Sequence, residues 1–234
     1  MAVLFDPPRW PAHGREWSHL VSDVSLEELH AFARRTGIPA KGFEGDHYDV
    51  PGERLGDLVD AGAQLVDAGE LLRRLVASGL RVPKRRGQLV LGSWVEARPG
   101  GVVHVDLLAS AAAPPATTTR GARGLVLDDD RRMLLRRPAG AGEDAWALPV
   151  VDAGVGRPLG FSRHRPPVDA AGGRRAPASR WRHLALVAAS PQDVRAERGQ
   201  ELRRVPVVHA ERACGAPRWW TLVVHGLEAA ASSR

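Results

Sequence analysis

Hydrophobic positions follow two different periods along the first 80 residues. Ala2–Phe5 is a short apolar run that ends at Asp6 and two prolines, which predicts a strand followed by a turn. After Ser25, apolar residues at positions 26, 29, 32 and 33 predict a helix, because Ser-x-x-Glu is a capping box and Gly37 stops the pattern. Similar signals predict an extended segment at 47–50, helices through 55–59 and 71–75, and a short strand at 63–66. Strands that alternate with helices indicate an α/β fold in which helices cover a small sheet.

Beyond residue 80 the pattern predicts shorter and less regular elements. Short strands are expected at 89–95 and 102–108, and the segment 109–119 is of low complexity and is typical of a linker. An acidic turn at 128–130 between two apolar runs predicts a hairpin, and the Gly, Pro and Arg content of 150–182 predicts poor order. Further strands are predicted at 184–188, 205–208 and 219–224. We therefore predict a small α/β domain at 1–82, a hinge or linker with short strands at 83–120, and a partly disordered mixed α/β segment at 121–234.

Charge is distributed unevenly between these parts. The chain carries 33 Lys or Arg and 27 Asp or Glu residues, a formal charge of +6. Residues 1–80 contain 8 basic and 13 acidic residues, a charge of −5, and residues 81–234 carry +11. Because 31 of the basic residues are Arg and Asn is missing, the excess of Arg indicates GC-rich codon usage. The basic part keeps a nucleic-acid partner open as an alternative, but charge alone does not predict one.

Several classes of protein are excluded by composition. No run of 18 apolar residues is present, and the N-terminus has Asp6 and two prolines where a signal peptide needs a long apolar stretch. The single cysteine, Cys214, excludes an internal disulfide framework and a zinc site built from cysteines. We expect a cytoplasmic protein without a membrane partner.

Histidines and carboxylates are concentrated in the first fifty residues, which hold four of the nine histidines. Imidazole and carboxylate groups bind zinc, manganese or iron and also serve as general acids and bases. In an extended segment, His47 and Asp49 share one face and Tyr48 points to the other. The residues that carry this chemistry are predicted to be His19, His47 and Asp49, as catalytic residues and as ligands of a divalent metal, with Asp6, Ser18, Glu28, His30 and Tyr48 in support.

A purely structural interpretation of the same residues stays open. They can act as helix caps, turn acceptors and partly buried hydrogen-bonding histidines, and no spacing matches a strong motif such as His-Glu-x-x-His. Glu28 and His30 are two positions apart on a predicted helix and so face different directions. Ser18 beside His19 suggests a nucleophile, but adjacent residues rarely meet in the geometry of a catalytic triad.

The first third of the chain resembles a known family. The apolar strand with Asp6, the words Trp-Ser-His-Leu at 17–20, Glu-Leu-His-Ala-Phe-Ala at 28–33 and His-Tyr-Asp-Val at 47–50 are similar to the family called domain of unknown function 4031. The likeness covers residues 1–80. It implies a small intracellular domain and no assigned activity.

A second resemblance begins at residue 121. An apolar strand, the acidic turn, Leu-Leu-Arg-Arg at 134–137 and Trp-Ala-Leu-Pro at 146–149 are similar to the opening of a Nudix hydrolase domain. That family continues with Gly-Gly and a helix bearing Arg-Glu-x-x-Glu-Glu, whose carboxylates hold magnesium against a diphosphate. Here Val150-Val151 stands at the Gly-Gly position and residues 150–196 contain no glutamate. The resemblance therefore implies a degenerate Nudix-like domain without the Nudix box, through decay or through a frameshift in a former hydrolase.

These observations leave two functional hypotheses. In the first, the histidine–carboxylate cluster binds a divalent metal or performs acid–base chemistry on a small phosphorylated molecule, a nucleotide or a nucleic acid. In the second, the protein is a non-catalytic adaptor whose basic part binds nucleotide or nucleic acid, as the +11 carried by residues 81–234 indicates.

Overall fold

The computed structural model describes residues 2–99, 101–152, 154–166 and 181–231. Contacts divide these residues into two units, one formed by residues 2–83 with residue 166 and the other by the described residues of 84–165 and 181–231. Both units combine helices with sheets, so the predicted α/β class is confirmed. Among the described helices, none has the length and apolar character needed to cross a membrane.

The first unit is a five-stranded sheet with helices on both faces. Its central strand, residues 15–22, pairs along one edge with the strands at 3–5 and 10–12 and along the other edge with the strand at 48–51. Alternate residues of the first strand explain the layers, because Val3 and Phe5 pack on one face while Leu4 packs on the other. The elements in chain order are β1 (Val3–Phe5), β2 (Trp10–Ala12), β3 (Arg15–Ser22), α1 (Leu26–Arg35), β4 (Tyr48–Pro51), α2 (Leu55–Asp60), β5 (Gln64–Leu65) and α3 (Ala68–Ala77).

The predicted capping box of α1 is only half formed. The Ser25 side chain accepts a hydrogen bond from the backbone N–H of Glu28 at 3.1 Å, as the motif requires. The Glu28 carboxylate instead accepts from the hydroxyl of Ser22, which in turn accepts from the backbone N–H of Ser25 at 3.1 Å. Ser22 therefore occupies the place that the sequence motif assigns to Glu28.

The second unit is built on a six-stranded sheet and on a separate pair of strands. Its elements are β6 (Gln88–Arg98), β7 (Gly101–Ser110), β8 (Thr119–Leu125), β9 (Arg132–Arg137), β10 (Val150–Val151), β11 (Arg157–Arg165), β12 (Arg182–Ala188), β13 (Glu201–Pro206), α4 (Val207–Ala213) and α5 (Trp220–Ala231). The strand order of the larger sheet is β10-β8-β12-β11-β7-β6, and β9 pairs with β13. The β8–β12 pair is parallel, and the other pairs are antiparallel. Apolar side chains of the larger sheet pack against the last helix.

Three expectations for this part of the chain need correction. The two strands predicted within 83–120 exist, but they are long and belong to the six-stranded sheet, so this stretch is not a linker as a whole. Within 150–182, predicted to be poorly ordered, β10 and β11 are regular strands, and residues 167–180 lie outside the described residues. Two of the arginines that made this stretch look irregular, Arg163 and Arg165, are buried on β11 against Asp106 of β7.

The third correction concerns the C-terminal end. Residues 219–224, predicted as a strand from their Trp, Thr and Val content, begin helix α5, and the strand predicted at 205–208 ends at Pro206, where α4 begins. Leu222 and Val223 are buried in the core cluster together with strand residues of the sheet. Packing of a helical face has overridden local strand propensity. The predicted hairpin is confirmed, since Leu127 bridges Met133 across the acidic turn.

Candidate metal centre

Three of the predicted residues lie together because β3 pairs with β4. His19 on β3 stands directly opposite Asp49 on β4, and side chains of directly opposed residues share a face of the sheet. His47 precedes Asp49 by two residues and therefore points to that same face, while Tyr48 points to the other, as the alternation predicted. A potential ligand atom from each of His19, His47 and Asp49 lies within 4.8 Å of those of the other two.

The distances within this group are close to those of a metal site. His47 Nε2 lies 3.5 Å from Asp49 Oδ1, and the rings of His19 and His47 are 5.0 Å apart at 76°. Metal bonds of about 2.1 Å separate neighbouring ligand atoms at tetrahedral corners by about 3.4 Å. The His47–Asp49 spacing matches that value, and the other spacings within the group do not exceed 4.8 Å.

Each histidine is held by its own buried carboxylate. His19 Nδ1 lies 3.0 Å from Asp6 Oδ2, and the His19 backbone N–H donates to Asp6 Oδ1 at 2.6 Å. His47 Nδ1 lies 2.6 Å from Asp46 Oδ1. Asp46 also accepts from the backbone N–H of Val82 at 2.6 Å and from Arg81, which ties it to the segment after α3. A carboxylate on one ring nitrogen orients the other nitrogen toward a ligand and increases its basicity. We refer to Asp6, His19, Asp46, His47 and Asp49 as the His–carboxylate centre.

Charge within this centre is set by hydrogen bonding as much as by burial. Burial by itself raises the pKa of Asp6, but hydrogen bonds from the side chain and backbone of His19, and one from Trp10, hold it below its ordinary value. Burial also disfavours a charge on His47, yet hydrogen bonds to Asp46 and Asp49 raise the pKa of His47 to about 9. At neutral pH the metal-free His47 is therefore an imidazolium, and a metal ion has to displace the proton that faces Asp49.

Of the remaining predicted residues, Ser18 lies beside the centre, whereas Glu28, His30 and Tyr48 lie elsewhere. The His30 ring bonds through Nδ1 to the Tyr48 hydroxyl at 2.8 Å and packs on Phe43, on the other face of β4. Ser18 is fully buried and donates to the backbone oxygen of Asp6 at 2.6 Å, so its hydroxyl is part of the support of Asp6 and is inaccessible to a substrate. Glu28 is bonded to Ser22 at the start of α1. The structure thus brings Asp6 and Ser18 next to the three central residues and separates Glu28, His30 and Tyr48 from them.

Two residues of this region were missed by the sequence reasoning. Asp46 is not among the predicted residues, although its position beside His47 is a signal, since a carboxylate that bonds to one ring nitrogen orients an imidazole. Trp10 packs edge-on against His19 with its ring centre 5.2 Å away, and half of its surface is exposed. Its partner across the β2–β3 hairpin is Trp17.

The centre opens into a cavity of about 830 Å³ in the first unit. His19 and Asp49 lie in its wall together with Trp10 and Trp17. Its charged lining is balanced, with three cationic residues, Arg15, Lys41 and Arg54, and three acidic residues, Glu44, Asp49 and Glu53. A bound dication would therefore make this cavity positively charged, and without one the cavity has no strong preference for an anion.

Comparison with known proteins gives a match within the first unit. A family model described as "Protein of unknown function (DUF4031)" matches residues 3–78, which supports the resemblance seen in the sequence. No curated protein matches the chain. The match covers about a third of the chain, and all five residues of the His–carboxylate centre lie inside it.

Proposed function

We propose that the first unit binds one divalent metal ion through His19, His47 and Asp49. The observation that carries this proposal is the pair of buried carboxylates, Asp6 and Asp46, each bonded to the Nδ1 atom of one histidine. Both histidines can then present Nε2 to a point that they share with Asp49. Two imidazoles and one carboxylate with room for a further ligand suit zinc, and also manganese or iron.

We further propose that this metal ion acts on a small phosphorylated molecule. A bound dication lowers the pKa of a coordinated water and stabilises charge on a phosphoryl oxygen. The charged residues around the cavity offset one another, so the ion supplies the net positive charge that a phosphate needs. Trp10 and Trp17 add aromatic surface beside His19, which favours a substrate with an aromatic part, such as a nucleotide.

Metal analysis of the purified full-length protein tests the first step. We expect one zinc or manganese ion per chain by titration calorimetry, and a loss of binding of at least about 100-fold in His47→Ala, which removes a ligand. His13→Asn is the matched control, because His13 lines the same cavity, is exposed at φ 52° and lies outside the centre. Equal binding by wild type and His47→Ala, or equal losses in both variants, would disprove the metal centre.

Hydrolysis of p-nitrophenyl phosphate and of its diester tests the second step. We expect turnover that depends on added metal, is removed by a chelator and is lost in His47→Ala. Stoichiometric metal binding without any metal-dependent turnover or phosphate binding would retain the metal site and reject the phosphate chemistry.

The bonding of His47 supports a second candidate function, acid–base catalysis without a metal. Its two nitrogens face Asp46 at 2.6 Å and Asp49 at 3.5 Å, and this pairing keeps both ring nitrogens protonated at neutral pH. Turnover that persists in a chelator and is lost in His47→Ala would favour this alternative.

For the second unit we propose a Nudix-like origin without hydrolase activity, with nucleotide or nucleic-acid binding as its alternative role. The strand, acidic turn and strand around residues 124–135 support the resemblance. Glu197 and Glu201, spaced as on one helix face, instead pair with Arg136 and Arg137. The absence of a hydrolase site in the second unit is tested by titrating magnesium into a chain that carries His47→Ala. Binding of magnesium by that variant would reject the proposal that the second unit has lost its metal site.

A further inference from the structure

The second unit contains a cavity of its own, of about 300 Å³. It lies over the face of the six-stranded sheet that α5 covers, and Leu222 of α5 lies in its wall. Register explains why one face supplies the lining, since Trp94 stands opposite Val105, and Leu107 stands opposite Ser162. The volume is at the lower end of the range for small-molecule sites, which are mostly apolar with a few placed polar groups.

The walls of this cavity are aromatic and aliphatic. Trp94 of β6 and Trp219, which precedes α5, supply indole rings, and leucines of three elements complete the apolar lining. Such walls favour a flat apolar body, because an aromatic ring gains both from burial and from contact with the indoles.

One cation enters this apolar lining without a matching anion. Arg123 of β8 lines the cavity opposite Leu186 of β12. Its charged neighbours are Arg136 and Glu197, and the Glu197 carboxylate is already paired with Arg136. Two guanidinium groups thus share one carboxylate, and no hydrogen bond or ion pair of the Arg123 side chain is formed with the part of the chain that the structure describes. Burial, and then the charge of Arg136, lower the pKa of Arg123.

The other polar groups of the lining do not neutralise Arg123. Glu96 accepts from Trp94 Nε1 at 3.0 Å and pairs with Arg98 at 2.6 Å, so its charge is already matched. His164 bonds through Nε2 to the Ser162 hydroxyl at 3.1 Å, and within the described chain its buried Nδ1 has no hydrogen-bond partner. Burial, and then Arg98, keep the pKa of His164 below its ordinary value, which leaves a neutral imidazole available to a ligand.

We propose that this cavity binds a small planar aromatic molecule that carries one anionic group, with the anion at Arg123 and the ring against Trp94 and Trp219. The site is separate from the His–carboxylate centre in its residues, its walls and its charge. It gives the second unit a ligand-binding role that requires no metal.

Calorimetry with 2-naphthoate and 2-naphthamide tests this site in the full-length protein, with a chelator present so that no metal occupies the first unit. The two probes share their rings and differ in the charge. We expect naphthoate to bind at least about 10-fold more tightly than naphthamide, since a charge-assisted hydrogen bond to a guanidinium contributes on the order of 1.5–3 kcal/mol. Naphthyl phosphate, compared with naphthoate, identifies which anionic group the site prefers.

Arg123→Gln should remove this preference, because it weakens naphthoate binding far more than naphthamide binding, and an unchanged urea unfolding midpoint shows that the variant is folded. Arg123→Lys, which keeps the charge, should retain a preference for naphthoate. Arg120→Gln is the matched control, because Arg120 is exposed on the same strand. Equal binding of the two probes, no binding of either at millimolar concentration, or an unchanged preference in Arg123→Gln would overturn the proposal.

Discussion

The buried carboxylates of the two units have different partners, histidines in the first unit and arginines in the second. In the first unit, Asp6 and Asp46 are almost fully buried and each is bonded to one histidine nitrogen. In the second unit, Asp106 is fully buried and accepts from Arg163 at 2.9 Å, from Arg165 at 2.6 and 2.8 Å, and from Ser93 at 3.0 Å. Similar groups at similar depth are therefore placed in two different chemical settings.

The difference lies in what the partner has left to offer. A histidine that gives one nitrogen to a carboxylate still presents the other, so Asp6 and Asp46 prepare their partners for a ligand. The carboxylate of Asp106 is saturated by four donor atoms, and its arginine partners carry only N–H donors and no lone pair that could bind a metal ion. The first arrangement is suited to binding, whereas the second holds β7 and β11 together.

Removal of Asp106 should have the largest effect. We expect Asp106→Ala to lower the free energy of unfolding of the second unit by about 3–5 kcal/mol, because two buried guanidinium groups lose their counter-ion. Urea unfolding followed by tryptophan fluorescence measures this, since five of the seven tryptophans lie in residues 84–234. Asp129→Ala, at an exposed position of the acidic turn, is the control. Equal stability of the two variants would show that Asp106 is not structural.

The matching change in the first unit should affect binding more than folding. We expect Asp6→Asn to weaken metal binding by about 10–100-fold, because the amide orients His19 less well and does not increase its basicity. Asp23→Asn is the control, since Asp23, which precedes α1, belongs to the same unit but pairs with Arg74 of α3. Metal calorimetry that finds the same affinity in both variants would remove the distinction between the two settings.

The local sequence pattern predicted most elements of the first unit and suggested His19, His47 and Asp49 as site residues, but it did not predict the strand pairing that brings them together. The strand in Ala2–Phe5 and the helix after Ser25 could be predicted because their apolar, buried residues follow the pattern expected for each element. The strand β3 was not predicted, although it carries His19, because polar and apolar residues do not alternate strictly along it. The pairing of His19 with Asp49 joins residues thirty positions apart, and such a register depends on the whole sheet.

The second unit shows the same limit in a different form. Its helix α5 contains a run of Trp, Thr and Val that favours a strand, and only contact with the sheet makes it helical. The charged stretch within β11 resembled an unfolded segment because the partner of its arginines, Asp106, is more than fifty residues away. Composition therefore gave a wrong prediction of poor order where charged residues pair with distant partners. The apolar pattern gave correct elements where a helix or strand buries one apolar face.

The two units also shift the pKa of a buried histidine in opposite directions, so the contrast between them can be tested by changing the pH. The pKa of His47 is raised to about 9 beside two carboxylates, whereas burial, and then Arg163 and His164, lower the pKa of His183 to about 4. His183 is neutral in the folded state and bonds to the Thr118 hydroxyl at 2.8 Å. Its contribution to stability is complete above the ordinary pKa of about 6.5 and decreases as the pH falls toward 4, because the unfolded chain takes up a proton that the folded chain refuses.

We therefore expect the second unit of the wild type to lose about 1–2 kcal/mol more than His183→Gln between pH 7 and pH 5, measured by urea unfolding at each pH. Glutamine retains a hydrogen-bonding group toward Thr118 but does not titrate. The lowered pKa of Asp106 keeps that carboxylate charged throughout this range, so it does not contribute to the difference. His209→Gln, at an exposed position on α4, should behave as the wild type does. Parallel pH dependence in the wild type and His183→Gln would mean that the arginines around His183 do not suppress its protonation, and the contrast with His47 would then rest on geometry alone.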